Sequence, residues 1–123
     1  PPVVGAPKPV QMPHPPIFVR GEREAAARRI ANYVDGLLPR ARNTSQYEDP
    51  KKLSGARKHI EELMTARGRD SSKLNITMWD APHDRDMNRR FFDAGADRVV
   101  HMLNTTDETA AHEGLERVAE AVL

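Results

Sequence analysis

An α/β fold, amounting to half of a (β/α)8 barrel, is what this sequence predicts, and two observations carry that expectation. A short apolar run, a break and an amphipathic stretch of helical period follow one another four times. The apolar runs, Pro16 to Val19, Val34 to Leu38, Leu74 to Trp79 and Arg98 to Leu103, all have strand length. Four such units are half the complement of an eight-stranded barrel.

The chain opens on a segment with neither period. Seven of the ten prolines fall between Pro1 and Pro16, and residues 1–15 read as a proline-rich loop or linker inside a longer polypeptide, with the half-barrel spanning residues 16–123. Pro13, Pro15 and Pro16 lack backbone donors and favour an extended path into the first strand, Ile17-Phe18-Val19. After Gly21, a helix from about Glu22 to Tyr33 places Ala26, Ile30, Tyr33 and Val34 on one stripe, with acidic Glu22 and Glu24 at its positive N-terminus. Asp35-Gly36 then turns the chain into a very short second strand that stops at Pro39.

A polar loop is expected from Arg40 to Pro50. The next helix, about Lys51 to Arg67, spaces Leu53, Ala56, Ile60, Leu63 and Met64 by threes and fours, with Gly68 as its C-terminal cap. Alternation from Leu74 to Trp79 predicts the third strand, and Asp86 to Ala94 offers Met87, Phe91 and Ala94 as a helical face closed by Gly95. Following the fourth strand, Thr105 and Glu108 have capping-box spacing. The last helix is expected to bury Ala111, Leu115, Val118, Ala119 and Val122.

Composition narrows the function classes. Of the 123 residues, 30% are charged and 38% hydrophobic, which suits one folded domain or part of one. Nineteen basic and 18 acidic residues interleave, a balance that argues against a nucleic-acid partner. Arg20, Arg23, Arg28, Arg29, Arg40 and Arg42 make a local excess, read first as a solvated helix face. No run of about 18 apolar residues exists, so no membrane partner is expected, the proline-rich start lacks the form of a signal peptide, and a cytoplasmic location is the default. With no cysteine, thiolate metal sites and cysteine nucleophiles are excluded.

Three passages resemble the C-terminal half of the bacterial luciferase-like family, specifically its deazaflavin-dependent oxidoreductases. Pro7-Lys8-Pro9-Val10-Gln11 with Pro13-His14-Pro15-Pro16-Ile17-Phe18-Val19 is similar to that family's proline-rich approach to a strand ending in a Gly-Gly turn. Asp35-Gly36-Leu37-Leu38-Pro39 resembles its next strand, and Ala94-Gly95-Ala96-Asp97-Arg98-Val99-Val100 its last. The order and spacing match over nearly the whole chain. The resemblance implies the C-terminal half of a (β/α)8 TIM barrel, about four βα units forming strands five to eight, with the first four strands outside this chain.

The resemblance also implies a cofactor, coenzyme F420 or alternatively FMN, approached by two loops. Val19, Arg20, Gly21 and Glu22 would line the first, and Leu38, Pro39, Arg40 and Arg42 would close the same side. A glycine turn opening a helix exposes N–H donors where the dipole favours an anion. The sequence departs from the family at Arg20, which stands where the first glycine of the pair is common, and at Leu37, where an aromatic is common.

Other candidates carry less. Trp79 and Asp80 end a strand on the side where barrel enzymes place their sites, yet Trp79 reads first as packing. His101 is expected within the fourth strand, and His14, His59, His83 and His112 lack metal-ligand spacing, so no metal site is expected. Glu61-Glu62 falls on a solvated helix, and no catalytic residue is assigned. Hydride transfer between deazaflavin and an organic substrate leads, with an FMN-dependent monooxygenase as the near alternative. A non-catalytic half-barrel acting as a structural module is the alternative of another class. Half a barrel would expose strand edges and interior residues such as Val99 and Leu103, so a homo-oligomer (a dimer) or pairing with the missing half is expected.

Overall fold

The computed structural model describes residues 6–21, 24–42 and 46–123. Residues 6–17 run without helix or strand into β1 (Phe18–Val19), which is followed by α1 (Glu24–Asn32), β2 (Gly36–Leu37), α2 (Pro50–Ala66), β3 (Asn75–Trp79), α3 (Arg85–Asp93), β4 (Arg98–Val100) and α4 (Glu108–Val122). The predicted start of the first helix, at Glu22, lies outside the described residues.

All three strand pairings are parallel, and the sheet order is β1-β2-β3-β4. Sequential order fixes the layer arrangement. Parallel crossovers of one hand that always step the same way along a sheet deposit every helix on the same face. Consistent with that, one apolar cluster joins Val19, Leu37, Ile76, Met78 and Val99 to Ile30 of α1, Leu53, Ile60 and Met64 of α2 and Phe91 of α3. Alternation then turns Phe18, Thr77 and Val100 toward the opposite face, away from that cluster. The result is an α/β half-shell whose topology matches half of a βα barrel.

Strands are shorter than the apolar runs that announce them. Pro16 and Ile17 precede the ladder, and Val34 packs under it without pairing. At the other end of the sheet, the run from His101 to Leu103 leaves it. Aspartates set the pairing at the strands' N-terminal ends: Asp35 Oδ2 accepts from Ile17 N at 2.7 Å, and Asp97 Oδ2 accepts from Ile76 N at 2.7 Å. Each carboxylate therefore holds the backbone of the neighbouring strand as well as starting its own. Gly36 is obligatory for packing, since a Cβ there would stand 2.4 Å from Asn75 O and 2.5 Å from the Phe18 ring.

Five expectations are corrected. Tyr33, assigned to the buried stripe of α1, is 62% exposed, because the helix ends at Asn32 and Tyr33 begins the turn. The segment from Arg40 to Pro50 is more than polar loop: it contains a 3-10 turn, Gln46–Glu48, that buries Tyr47. Helix α4 is capped by Asp107, which accepts from Ala110 N at 2.8 Å, while Thr105 accepts only from Asp107 N. That helix also buries Gly114 rather than Leu115, which is 55% exposed. Val99, expected in the barrel interior, packs on the helix side.

Candidate functional site

In a parallel sheet with helices after every strand, the C-terminal strand ends and the loops leaving them form one rim, where several loops can present groups to a common point. On this rim, Arg20, Gly21, Leu38, Pro39 and Arg40 together line a cavity of about 300 Å³. Five of the eight residues assigned from sequence to the cofactor loops thus surround one hollow. Val19 adjoins it as the last residue of β1, and Glu22 lies outside the described residues.

Local backbone chemistry explains the convergence. Gly21 has φ +133°, a conformation that L side chains rarely adopt, and a Cβ there would approach Ala26 Cβ at 3.2 Å. Pro39 has no N–H and ends the regular pairing of β2, but its carbonyl still accepts from Trp79 N at 3.0 Å. The chain then returns to the sheet, with Arg40 bridging Trp79 and Ala41 N donating to Trp79 O at 2.9 Å. This brief departure swings Arg40 and Arg42 over the end of β3.

Asp80 receives both of them. Arg40 Nε donates to Oδ2 at 2.8 Å, Arg42 Nε to Oδ1 at 2.9 Å, and Arg42 Nε also reaches the Asp80 carbonyl at 2.9 Å. Asp80 is 6% exposed and has φ 57°, a left-handed conformation that aspartate tolerates better than most residues. Burial pushes its carboxyl up, but the Arg40 hydrogen bond and the Arg42 charge outweigh that and hold it below the usual carboxylate range. The two guanidiniums share one carboxylate, so the cluster keeps an excess positive charge.

Trp79 sits beside this cluster as a platform for two cations. The Arg20 guanidinium carbon lies 4.8 Å from its ring centroid, and that of Arg40 lies 5.3 Å away. Its indole Nε1 is buried with no hydrogen-bond partner among the described residues. Among the described residues Arg20 pairs with no carboxylate and is anchored by the indole ring. The local arginine excess is therefore not one solvated face: Arg28 pairs with Glu24 at 2.9 Å on α1, whereas Arg20, Arg40 and Arg42 meet around Trp79 and Asp80. Arg23 lies outside the described residues.

Asp80 is the residue that sequence reasoning undervalued. The available signal was an acidic residue ending a strand while arginines fill the preceding loop, a separation of about 40 positions that no local pattern joins. His101, expected within the fourth strand, lies just past it. Asn88 Nδ2 stands 3.1 Å from His101 Nε2, and His101 Nδ1 stands 3.2 Å from Ala81 O. An amide nitrogen can only donate, so Nε2 accepts and Nδ1 carries the hydrogen given to Ala81 O. His101 thereby ties β4's exit to the Asp80-Ala81 turn.

Two other hollows are less suited to chemistry. One of about 310 Å³ lies on the helix side between α1 and α2, and one of about 530 Å³ lies at the N-terminal strand ends beside the proline-rich segment. The first takes Gly21 and the Gln46–Glu48 turn from the rim loops but has no arginine in its lining, and the second is lined by no rim loop. Among the described residues no group of three or more His, Asp or Glu could hold a metal ion. None of their helices is long and apolar enough to cross a membrane.

Fold and rim together define a two-layered α/β half-shell with a cationic, aromatic-backed cavity at the C-terminal ends of its strands. Neither a protein-family model nor a curated protein matches this chain.

Proposed function

We propose that the chain forms the C-terminal half of a luciferase-like oxidoreductase that moves hydride between the deazaflavin coenzyme F420 and an organic substrate. The observation that carries this reading is the gathering of Arg20, Gly21, Leu38, Pro39 and Arg40 around one cavity, since the same positions follow from the sequence resemblance without any knowledge of the fold. The donor set fits the phosphate-bearing end of such a cofactor. Arg20 and Arg40 bring two guanidiniums to the cavity, and a phosphate can take bidentate bonds from either. Gly21 lets backbone come close where a side chain would obstruct it.

When bound, a deazaflavin supplies a hydride carrier, and FMN would add ready oxygen activation. The residues of this chain bind and orient. Asp80 fixes Arg40 and Arg42 before any ligand arrives, so their ordering cost is met on folding rather than on binding. Trp79 shields one side of both cations from water, which strengthens their attraction for an anion. The organic substrate would enter from the face of the sheet opposite the helices, and a second βα half would complete the enclosure.

The test is a fluorescence titration with coenzyme F420 and, in parallel, FMN, with the chain's single tryptophan, which stacks on both cavity arginines, as the reporter. Saturable F420 binding without FMN binding supports hydride transfer, and a preference for FMN moves the assignment to the monooxygenase. Binding of neither sinks the cofactor reading and leaves the half-barrel as a structural module.

A further inference from the structure

Gly21 lines a second hollow besides the rim cavity, the one of about 310 Å³ between α1 and α2. Close-packed interiors leave few voids larger than a water molecule, and this one is far larger than a single water needs. Its size comes from side chains that stop short. Ala26 and Ala27 of α1 and Ala56 of α2 line it, so three facing positions carry one methyl group each. Leu37 of β2 and Ile60 of α2, both buried, supply the remaining apolar walls. A slot of this volume falls at the small end of ligand-binding cavities, which suits a single aromatic ring rather than a large cofactor.

Polar groups stand at the two ends of the slot. Lys52, Ala56, His59 and Ile60 follow one another along α2 at i, i+4, i+7 and i+8, a single helical stripe. Seven residues of helical rise separate Lys52 from His59 by about 10 Å along the axis, with the Ala56 methyl between them. Lys52 pairs with no carboxylate among the described residues. Asp49, the acidic residue nearest to it in sequence, caps α2 by accepting from Lys51 N at 3.0 Å.

At the other end, Glu24 is committed on both oxygens. Its Oε1 accepts from Arg28 Nε at 2.9 Å, and its Oε2 lies 2.8 Å from His59 Nε2. The hydrogen bonds from Arg28 and His59 hold the Glu24 carboxyl below its ordinary value, so it is ionised and can only accept. His59 therefore carries a hydrogen on Nε2, and Nδ1 of the neutral ring is an acceptor. That nitrogen has no partner among the described residues. The slot thus has a cation at one end, a hydrogen-bond acceptor at the other and an apolar middle.

We infer that this slot binds a small aromatic carboxylate with a hydroxyl at the far end of its ring, the carboxylate on Lys52 Nζ and the hydroxyl donating to His59 Nδ1. Neither end alone would hold such a ring, since an exposed ion pair contributes little and apolar walls do not orient. Together the two ends fix both position and direction. A ring bearing an ammonium group is repelled by Lys52, and one with an acceptor in place of the hydroxyl meets the Nδ1 lone pair. The rim arginines line no part of the slot, so the inference goes beyond the cofactor reading and does not depend on it.

The probe is 4-hydroxybenzoate, titrated into the unmodified 123-residue chain without any cofactor and followed by amide chemical shifts. Saturable binding is expected, with shifts at Ala27, Ala56 and Ile60 and none at Leu38 or Arg40. Lys52→Met, at an exposed position, should weaken binding about tenfold, the equivalent of one charged contact. Ala56→Leu should abolish binding by filling the slot while the melting temperature holds or rises; if that variant fails to fold, Lys52→Met decides. Benzoate and 4-hydroxybenzyl alcohol, each lacking one polar end, should bind more weakly, and Lys52→Met should leave the affinity for the alcohol unchanged. The inference is overturned by a titration that does not saturate at millimolar probe, by affinity that Lys52→Met or a folded Ala56→Leu leaves intact, or by shifts centred on the Arg20 and Arg40 cavity. Binding of 4-hydroxybenzoate in the slot of a chain that takes neither F420 nor FMN would uphold this site while rejecting the oxidoreductase.

Discussion

Asp80 concentrates the chemistry of the rim in one carboxylate. It holds two guanidiniums at hydrogen-bonding distance from a nearly buried, left-handed position. Asp80→Asn keeps a residue that tolerates that backbone but removes the charge, and should cost about 2 kcal/mol, the scale of losing charged hydrogen bonds whose donors can partly rehydrate. Because the folded-state carboxyl titrates below its ordinary value of 3.8, the stabilisation is fully present above that value and is lost as pH falls through the folded-state pKa. Urea unfolding as a function of pH should therefore show wild type and Asp80→Asn far apart at neutral pH and converging in acid. A gap that stays constant down to the acid limit would contradict the role. Arg20 makes the contrasting case, since it has no carboxylate partner among the described residues and touches only the Trp79 ring. Arg20→Ala should leave the melting temperature within about a degree, because exposed residues away from packing rarely matter to stability. It should weaken cofactor binding by roughly tenfold, the equivalent of one good charged contact, with a larger loss at low salt than at high salt. Equal loss at all ionic strengths would exclude a phosphate contact.

At the scale of elements, helix ends separate what local pattern discloses from what it does not. Leu53, Ile60 and Met64 are buried as their spacing requires, and Gly68 and Gly95 take positive φ beyond α2 and α3 as their places in the sequence suggest. Periodicity is a property of one segment, so it can be read from one segment. Strand length is not, because a residue is in a strand only if a neighbour pairs with it; Val34 and Met102 are apolar enough but have none. The same limit hid Asp80, whose partners come from a loop that returns to the sheet past Pro39. The start of α4 makes the point testable. Thr105 and Glu108 have the spacing of a capping box, yet Asp107 accepts from Ala110 N and Thr105 from Asp107 N. Asp107→Ala should lower stability by about 1 kcal/mol, the usual loss on removing an N-cap, and Thr105→Ala by clearly less, both read from chemical denaturation. The reverse order would restore the capping box.

For the molecule as a whole, stability should be graded across the sheet from its centre outward. β3 has strands on both sides, its Ile76 and Met78 are fully buried, and α2 packs Leu53, Ile60 and Met64 into the same cluster. At the margins, β1 is two residues long with one partner strand, and α4 buries only Gly114 completely. Local opening costs least where few apolar contacts are lost. Amide exchange should accordingly be slowest in β3 and in the α2 turns that carry Leu53 and Ile60, and fastest among the helices in α4. Protection spread evenly from β1 to α4 would contradict this grading, because it would mean that the margins open only when the centre does.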